Sequence, residues 1–284
     1  MPELPEVEVL VQHLRPLIRN RTIRRIQVHR AKVVAPHSPA ELRRRLTGAQ
    51  FTELRRRGKY LLFELRISRR KSRVTLLGHL GMSGRMFLAR RNAPLPKHTS
   101  VVIELDRNQV VLEDPRYFGR LTLETRPVEK LGPEPFSTEF NTEYLAKALA
   151  RSSQAIKVKL LDQSLVAGIG NIYASEALFR AGVSPRLPAD KLNRRQISQL
   201  CRAIQQVLTE AIRFGSTVPL NFAGGAENDG LFYFGRAPNA ADYYEERLRV
   251  YDRAGQPCPR CKRPIQRLVQ AARSTFYCPR CQRS

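Results

Sequence analysis

Four cysteines carry the clearest chemical instruction in the sequence. Cys258-Pro-Arg-Cys261 and Cys278-Pro-Arg-Cys281 are paired CxxC knuckles separated by sixteen residues. Each knuckle places two thiolates in one tight turn, and two turns complete a tetrahedron. That spacing reads as a zinc site rather than as two disulfides. Because protein fills all four positions, the expected Zn2+ is structural and has no open position for catalysis. The fifth cysteine, Cys201, falls on the apolar side of a predicted helix and reads as a small core residue. Eight Arg or Lys and no Asp or Glu surround the zinc pattern from Arg253 onward. A ribbon of this kind is, on its own, an Arg-studded hairpin able to grip phosphates.

The same bias runs through the whole chain. Its 284 residues hold 50 Lys plus Arg against 25 Asp plus Glu, a formal charge of +25. An excess of this size implies a polyanionic partner, because each cation set against a phosphate releases condensed counterions. The bland alternative is a solvated basic surface. No basic amphipathic helix stands out for an acidic membrane, and no run of about 18 apolar residues is present to span one. The opening Pro2, Glu3, Pro5 and Glu6 do not resemble a secretory leader. The expectation is a monomeric, cytoplasmic, nucleic-acid-binding protein.

The elements that must position these groups divide the chain in three. A helix starts in the opening residues, with Pro and Glu suited to a first turn. Residues 23–123 read as strands, among them Tyr60-Leu-Leu-Phe-Glu-Leu, Val74-Thr-Leu-Leu, and a hairpin turning at Asp106-Arg-Asn. A β-sandwich or flattened barrel is their natural packing. Leu131-Gly-Pro-Glu-Pro breaks the pattern, and helices follow over 142–151, 157–161, 172–181 and 193–214. In the last, Ile197, Leu200, Ile204, Val207, Leu208 and Ala211 keep a helical period behind an Asn193 N-cap. The fold class is therefore α+β and multidomain. An N-terminal β-sandwich with a leading helix occupies 2–130, a helical domain 131–248, and a zinc-ribbon hairpin 249–284.

Seven ordered motifs give this layout a family. They are Met1-Pro-Glu-Leu-Pro-Glu-Val-Glu, Arg57-Gly-Lys-Tyr-Leu-Leu, His79-Leu-Gly-Met-Ser-Gly, Asp114-Pro-Arg-Tyr-Phe-Gly, Leu131-Gly-Pro-Glu-Pro, the Asp162 to Glu176 run containing Gly-Ile-Gly-Asn171, and Arg273-Ser-Thr-Phe-Tyr-Cys. Together they resemble formamidopyrimidine-DNA glycosylase along nearly the whole chain, and the Gly168-Ile-Gly-Asn171 signature then makes 131–248 a helix–two-turn–helix DNA-binding domain with a lesion-loop insertion. The related endonuclease VIII branch would be expected to open Pro-Glu-Gly, whereas Leu4 follows Glu3 here. The resemblance implies a bifunctional glycosylase/AP lyase that excises oxidised purines from damaged double-stranded DNA. An oxidised-pyrimidine glycosylase and a non-catalytic damage-binding protein of the same fold are the alternatives.

On this resemblance Pro2 is the nucleophile. Once Met1 is removed its nitrogen is a secondary amine, and an α-amino pKa of about 8 leaves a useful neutral fraction at pH 7. With Met1 retained it is an amide and not a nucleophile. Glu3 becomes the adjacent acid/base, in a site where DNA phosphates favour its protonated form. Glu6, on the same helical face, is either a carboxylate supporting Glu3 from behind or a plain first-turn residue, the second being the favoured reading. Lys59 contacts phosphate and assists β-elimination. Arg273, with an arginine pKa above ~12, suits clamping of the departing phosphate better than proton donation. Flipping a base out leaves a gap, which the resemblance fills with Met82, Arg116 and Phe118. His98, Lys157 and Asn171 match further DNA contacts, with Gly168 and Gly170 expected to bare a helix N-terminus for phosphate. Tyr117 stands where a basic residue is common. The largest departure from the family pattern lies over 216–251, including a loop expected at 224–229.

Overall fold

A computed structural model describes residues 2–67, 72–214 and 247–283 of the protein. The divergent 216–251 segment, apart from its last five residues, and the expected 224–229 loop lie outside the described residues. The described chain forms two compact units. One contains residues 6–129 together with Pro2, and the other contains residues 3–5, 130–214 and 247–283.

The first unit is a sandwich of two antiparallel four-stranded sheets, preceded by α1 (Leu4–Ile18). One sheet has the order β1 (Arg25–Val28), β6 (Thr99–Glu104), β7 (Asn108–Glu113), β5 (Arg85–Arg90). The other runs β2 (Gln50–Arg57), β3 (Tyr60–Ile67), β4 (Ser72–His79), β8 (Arg120–Thr122). Alternation along β3 is strict: Leu61, Phe63 and Leu65 are buried while Tyr60, Leu62 and Glu64 are not. The buried set meets Ile26, Val101, Val111 and Met86 of the first sheet, and Val7, Leu10, Val11, Leu14 and Ile18 of α1, in one core. The hairpin turns at Asp106, as its sequence predicts, with Leu105 N donating to Asn108 O at 2.8 Å.

The strand reading of 23–123 misses one element. α2 (Pro39–Leu46) follows a short 3₁₀ turn (Ala31–Val34). The local signals for it are present. Ser38 accepts from Glu41 N as N-cap, Pro39 opens the first turn, and Leu42 and Leu46 are the only buried side chains, a combination that favours a helix start.

The second unit is helical, with α3 (Arg126–Glu129) lying just before it. Its helices are α4 (Thr142–Leu149), α5 (Ile156–Lys159), α6 (Asn171–Ala181) and α7 (Arg194–Arg213). α7 is the most strongly amphipathic. It buries the six predicted residues plus Cys201 and Ala203, and Asn193 with Gln196 forms a reciprocal capping box, worth about 1 kcal/mol. Cys201 is a buried core residue, as its pattern predicts. The zinc-ribbon strands, β9 (Gln266–Gln270) and β10 (Arg273–Tyr277), pair in register from Arg273↔Gln270 to Tyr277↔Gln266. A small core of Phe179, Val250, Ile265 and Phe276 seats this hairpin against α6. Glu176, fully within that helix, accepts from the backbone N–H groups of Arg249, Val250 and Tyr251 at 2.8–3.0 Å. Burial pushes its carboxyl up and the three donors oppose the shift. Among the described residues no helix is long and apolar enough to cross a membrane.

Candidate functional site

Pro2 precedes α1 and is buried. The residue after it is the most constrained polar group near the chain start. Glu3 is 1% exposed and its carboxylate lies across the start of α6. Oε2 accepts from Gly170 N at 2.6 Å and Tyr173 N at 3.5 Å, and Oε1 accepts from Ile172 N at 2.9 Å. These N–H groups are among the orphan donors of a helix N-terminus, where a negative charge is stabilised. Three of the donors bared at this helix start are thus taken by the protein's own carboxylate.

The glycines are needed for a different reason. A Cβ on Gly170 would stand 2.3 Å from Glu3 Cδ and 2.4 Å from its Oε1. One on Gly168, whose φ is +92°, would meet Leu4 Cβ at 2.6 Å. Leu4 N also donates to Gly168 O at 3.0 Å. Gly168 and Gly170 thus clear the way for Leu4 and Glu3, residues more than 160 positions earlier in the chain. Glu6 lies in the first turn of α1, as expected, and is 1% exposed.

Asn171, Lys157 and the Arg273 strand form one polar cluster in the same unit. Asn171 Nδ2 donates to Ser274 O at 2.9 Å, and Lys157 Nζ donates to Asn171 Oδ1 and reaches Ser274 O at 3.5 Å. One of the two amide N–H groups of Asn171 is therefore engaged within the protein. Lys157 is fully buried. Burial, then the charge of Arg273, push its ammonium down to about 8, with Glu3 opposing. Arg273 itself is exposed and has no ion-pair partner among the described residues. It follows a two-residue turn in which Ala271 and Ala272 both hold positive φ, +46° and +58°. A tight hairpin turn demands that geometry, and alanine adopts it at a cost of about 1–2 kcal/mol per residue.

The four cysteine sulfurs lie within 4.8 Å of one another, with Cys258–Cys281 at 3.9 Å and Cys261–Cys278 at 3.4 Å. Zn–S bonds of ~2.3 Å in a tetrahedron set sulfurs about 3.8 Å apart, so the donor set fits zinc by chemistry and by spacing. The metal holds the two knuckles from which the Arg273 hairpin extends.

In the sandwich unit, Lys59 occupies the two-residue turn between β2 and β3 and is 8% exposed. The next residue, Tyr60, packs its ring 4.8 Å from that of His79. Burial, then the charges of Lys59 and Arg120, push the His79 imidazole down to about 4. Its neutral Nδ1 accepts from Gly81 N at 3.1 Å, immediately before Met82. Met82 and Phe118 are exposed, at 44% and 51%, which removes the core reading of both. Arg116 is exposed too, its guanidinium 5.1 Å from the Phe118 ring centroid.

One residue without an assigned role in the sequence reading organises both loops. Asp114, fully buried, accepts from Ser83 Oγ at 2.7 Å, Arg116 N at 3.1 Å and Gly119 N at 2.7 Å. Its carboxylate therefore brackets Arg116-Tyr117-Phe118 and ties it to the loop of Met82. The backbones are in contact as well, since a Cβ on Gly81 would lie 2.7 Å from Gly119 N. His98 sits beside this pair of loops, its Nδ1 3.3 Å from the Tyr117 hydroxyl.

Comparison with known proteins adds an independent observation. The model of the formamidopyrimidine-DNA glycosylase N-terminal domain matches residues 1–121, that of its H2TH domain residues 131–220, and that of a zinc finger found in FPG and IleRS residues 255–283. The chain belongs to the formamidopyrimidine-DNA glycosylase family. This glycosylase is 41% identical to the formamidopyrimidine-DNA glycosylase of Thiobacillus denitrificans over the full length of both chains. The Ruegeria pomeroyi protein of the same name is 40% identical, again over all of both. Among solved structures, Lactococcus lactis Fpg with a DNA containing N7-benzyl-Fapy-dG superposes with a TM-score of 0.87 at 32% identity, covering all of both chains. The same protein with an abasic-site DNA gives 0.87, covering 99% of this chain and all of the other. The β-sandwich, H2TH domain and C-terminal zinc ribbon predicted from the motifs, and the structural zinc, are all borne out.

Proposed function

We propose that this glycosylase excises oxidised purines, 8-oxoguanine and formamidopyrimidines, from duplex DNA and then cuts the strand as an AP lyase through the Pro2 amine. The lone pair of the Pro2 nitrogen attacks the sugar C1′ while the C1′–base bond breaks, its electrons and a proton leaving with the base. Glu3 protonates the ring oxygen as the sugar opens to an iminium. That cation draws electrons from C2′, whose proton is lost as the C3′–O bond breaks and the 3′ phosphate departs. A second elimination releases the 5′ phosphate. Lys59 contacts the phosphate next to the lesion, and Arg273 clamps the departing one. Met82, Arg116 and Phe118 fill the gap left by the flipped nucleotide, with Arg116 donating to the orphaned base. His98 binds the DNA backbone. Lys157 and Asn171 serve it indirectly, by holding the backbone at Ser274 beside Arg273.

The observation that carries this reading is the Glu3 clasp. A buried carboxylate directly after the nucleophile is held by three N–H groups, with Gly170 leaving the space it fills. The clasp stabilises the start of α6 and also fixes a carboxyl group one residue from the proposed nucleophile, and the second role is the one an enzyme uses. Lactococcus lactis Fpg, crystallised with N7-benzyl-Fapy-dG DNA and with abasic-site DNA, supports the substrate class. The test is single-turnover cleavage of a panel of duplexes containing 8-oxoguanine, a formamidopyrimidine, an oxidised pyrimidine or an abasic site. Release of the purine lesions with β,δ-elimination products is expected. Preference for the pyrimidine would transfer the protein to the endonuclease VIII type, and binding without cleavage of any duplex would refute the enzymatic reading.

A further inference from the structure

Tyr117 lies between two of the gap-filling residues, in a backbone conformation (φ +56°) that bulky side chains rarely adopt. Its partners explain what this geometry achieves. The exposed guanidinium of Arg30 lies over the Tyr117 ring, 4.5 Å from the centroid, and Arg30 Nη2 donates to the tyrosine hydroxyl at 3.0 Å. The same hydroxyl lies 3.3 Å from His98 Nδ1, so one oxygen joins the arginine and the histidine. The backbone beneath is fixed as well, because His29 N and Arg30 N both donate to Ser100 O, at 2.9 and 3.3 Å.

Several other exposed arginines of this unit lean on carboxylates, Arg24 on Asp106, Arg55 on Glu64 and Arg126 on Glu124, whereas Arg116 stacks on Phe118 much as Arg30 does on Tyr117. Arg30 has no carboxylate partner among the described residues, so it is ordered with its charge uncompensated. Stacking leaves most of its N–H groups to an outside acceptor, and a planar, oriented guanidinium suits a phosphodiester oxygen. We propose that Arg30, held on Tyr117 beside His98, is a further phosphate-binding residue of the surface that takes the DNA duplex, and that Tyr117 is its positioning residue. The arrangement supplies a cation through a neighbour at the loop position where Tyr117 itself carries none. The inference rests on the reading that this face binds duplex DNA, and it concerns affinity rather than bond breaking.

The test uses the full-length protein and a duplex carrying a tetrahydrofuran abasic analogue, which is bound but not cut. Affinity is measured by fluorescence anisotropy from about 0.05 to 0.3 M salt. Loss of one phosphate contact lowers the slope of log K against log salt by ~0.9, so Arg30→Gln is expected to show that decrease with several-fold weaker binding. Its single-turnover cleavage rate at saturation should be unchanged. Arg43→Gln, an exposed arginine on α2 bonded only to Pro39 O, should retain the wild-type slope. In a Tyr117→Leu background, which removes the platform, Arg30→Gln should add little. A wild-type slope for Arg30→Gln, or its full effect in the Tyr117→Leu background, overturns the proposal alone. Absence of salt-dependent duplex binding by the wild-type protein would overturn the DNA reading beneath it.

Discussion

Gly170→Ala is a substitution that disturbs Glu3 without altering it. Gly170 has φ −134° and ψ −154°, extended backbone that alanine tolerates, so the effect comes from space. The added methyl would stand 2.3–2.7 Å from three atoms of the Glu3 carboxyl. The side chain is flexible enough to leave, and the carboxylate then loses Gly170 N and Ile172 N. Charge-assisted bonds contribute ~1.5–3 kcal/mol each, which sets the loss at about 3–6 kcal/mol, toward the lower end where water reaches the vacated donors. At ~2–4 °C per kcal/mol for a chain of this size, 3 kcal/mol lowers Tm by about 6–12 °C. If the clasped carboxylate is the acid/base, single-turnover base release should also fall by about 10²–10⁴. The rate is read on a lesion duplex below the Tm of the variant, beside Glu3→Gln, which should show a comparable catalytic loss. A Gly170→Ala protein with wild-type stability and rate would refute the clasp as described.

Three other outcomes follow from the geometry. Asp114→Asn places an amide donor among three existing donors and should loosen the loops of Met82 and of Arg116 to Phe118, to which the proposal assigns gap filling. Discrimination by the base opposite the lesion is expected to fall, while borohydride trapping on single-stranded abasic DNA is unchanged; intact discrimination would count against the bracketing role. Removing zinc with a chelator, or Cys258→Ser, should abolish strand cleavage and duplex binding together, with bound metal followed by a colorimetric assay, because the Arg273 hairpin depends on the knuckles. Lys157 has its folded-state pKa pushed down to about 8 from 10.5, so between those values the unfolded chain binds more protons and stability rises with pH, by about 3 kcal/mol across the window. In Lys157→Met that rise should disappear from urea-unfolding curves taken at pH 7.5 to 10.5.

What could be read from the sequence is what local pattern controls. The zinc ligands announce themselves because knuckle spacing is dictated by the metal. α7 announces itself because its apolar residues recur at the helical period behind Asn193. The helix at Pro39–Leu46 was signalled by Ser38, Pro39 and Glu41, but three consecutive arginines and only two buried leucines hide it among strands. The site is less legible because its defining contacts join distant residues. Nothing around Gly170 indicates that its missing side chain makes room for Glu3, 167 positions away. Asp114 looks like a turn residue until Ser83, Arg116 and Gly119 converge on it, and Arg30 has no motif at all. Asn171 and Lys157 were legible as residues that matter, but their contacts lead to the backbone beside Arg273.

The central claim, covalent catalysis through the Pro2 amine, is tested most directly by trapping. The mature protein is incubated with duplex DNA containing 8-oxoguanine opposite cytosine in the presence of borohydride, the adduct is digested, and the modified peptide is mapped by mass spectrometry. The account predicts a reduced sugar–DNA remnant on the nitrogen of Pro2 in a peptide lacking Met1, and no adduct from protein that retains Met1. An adduct on Lys59 or another lysine, or strand cleavage with no covalent adduct, would contradict it.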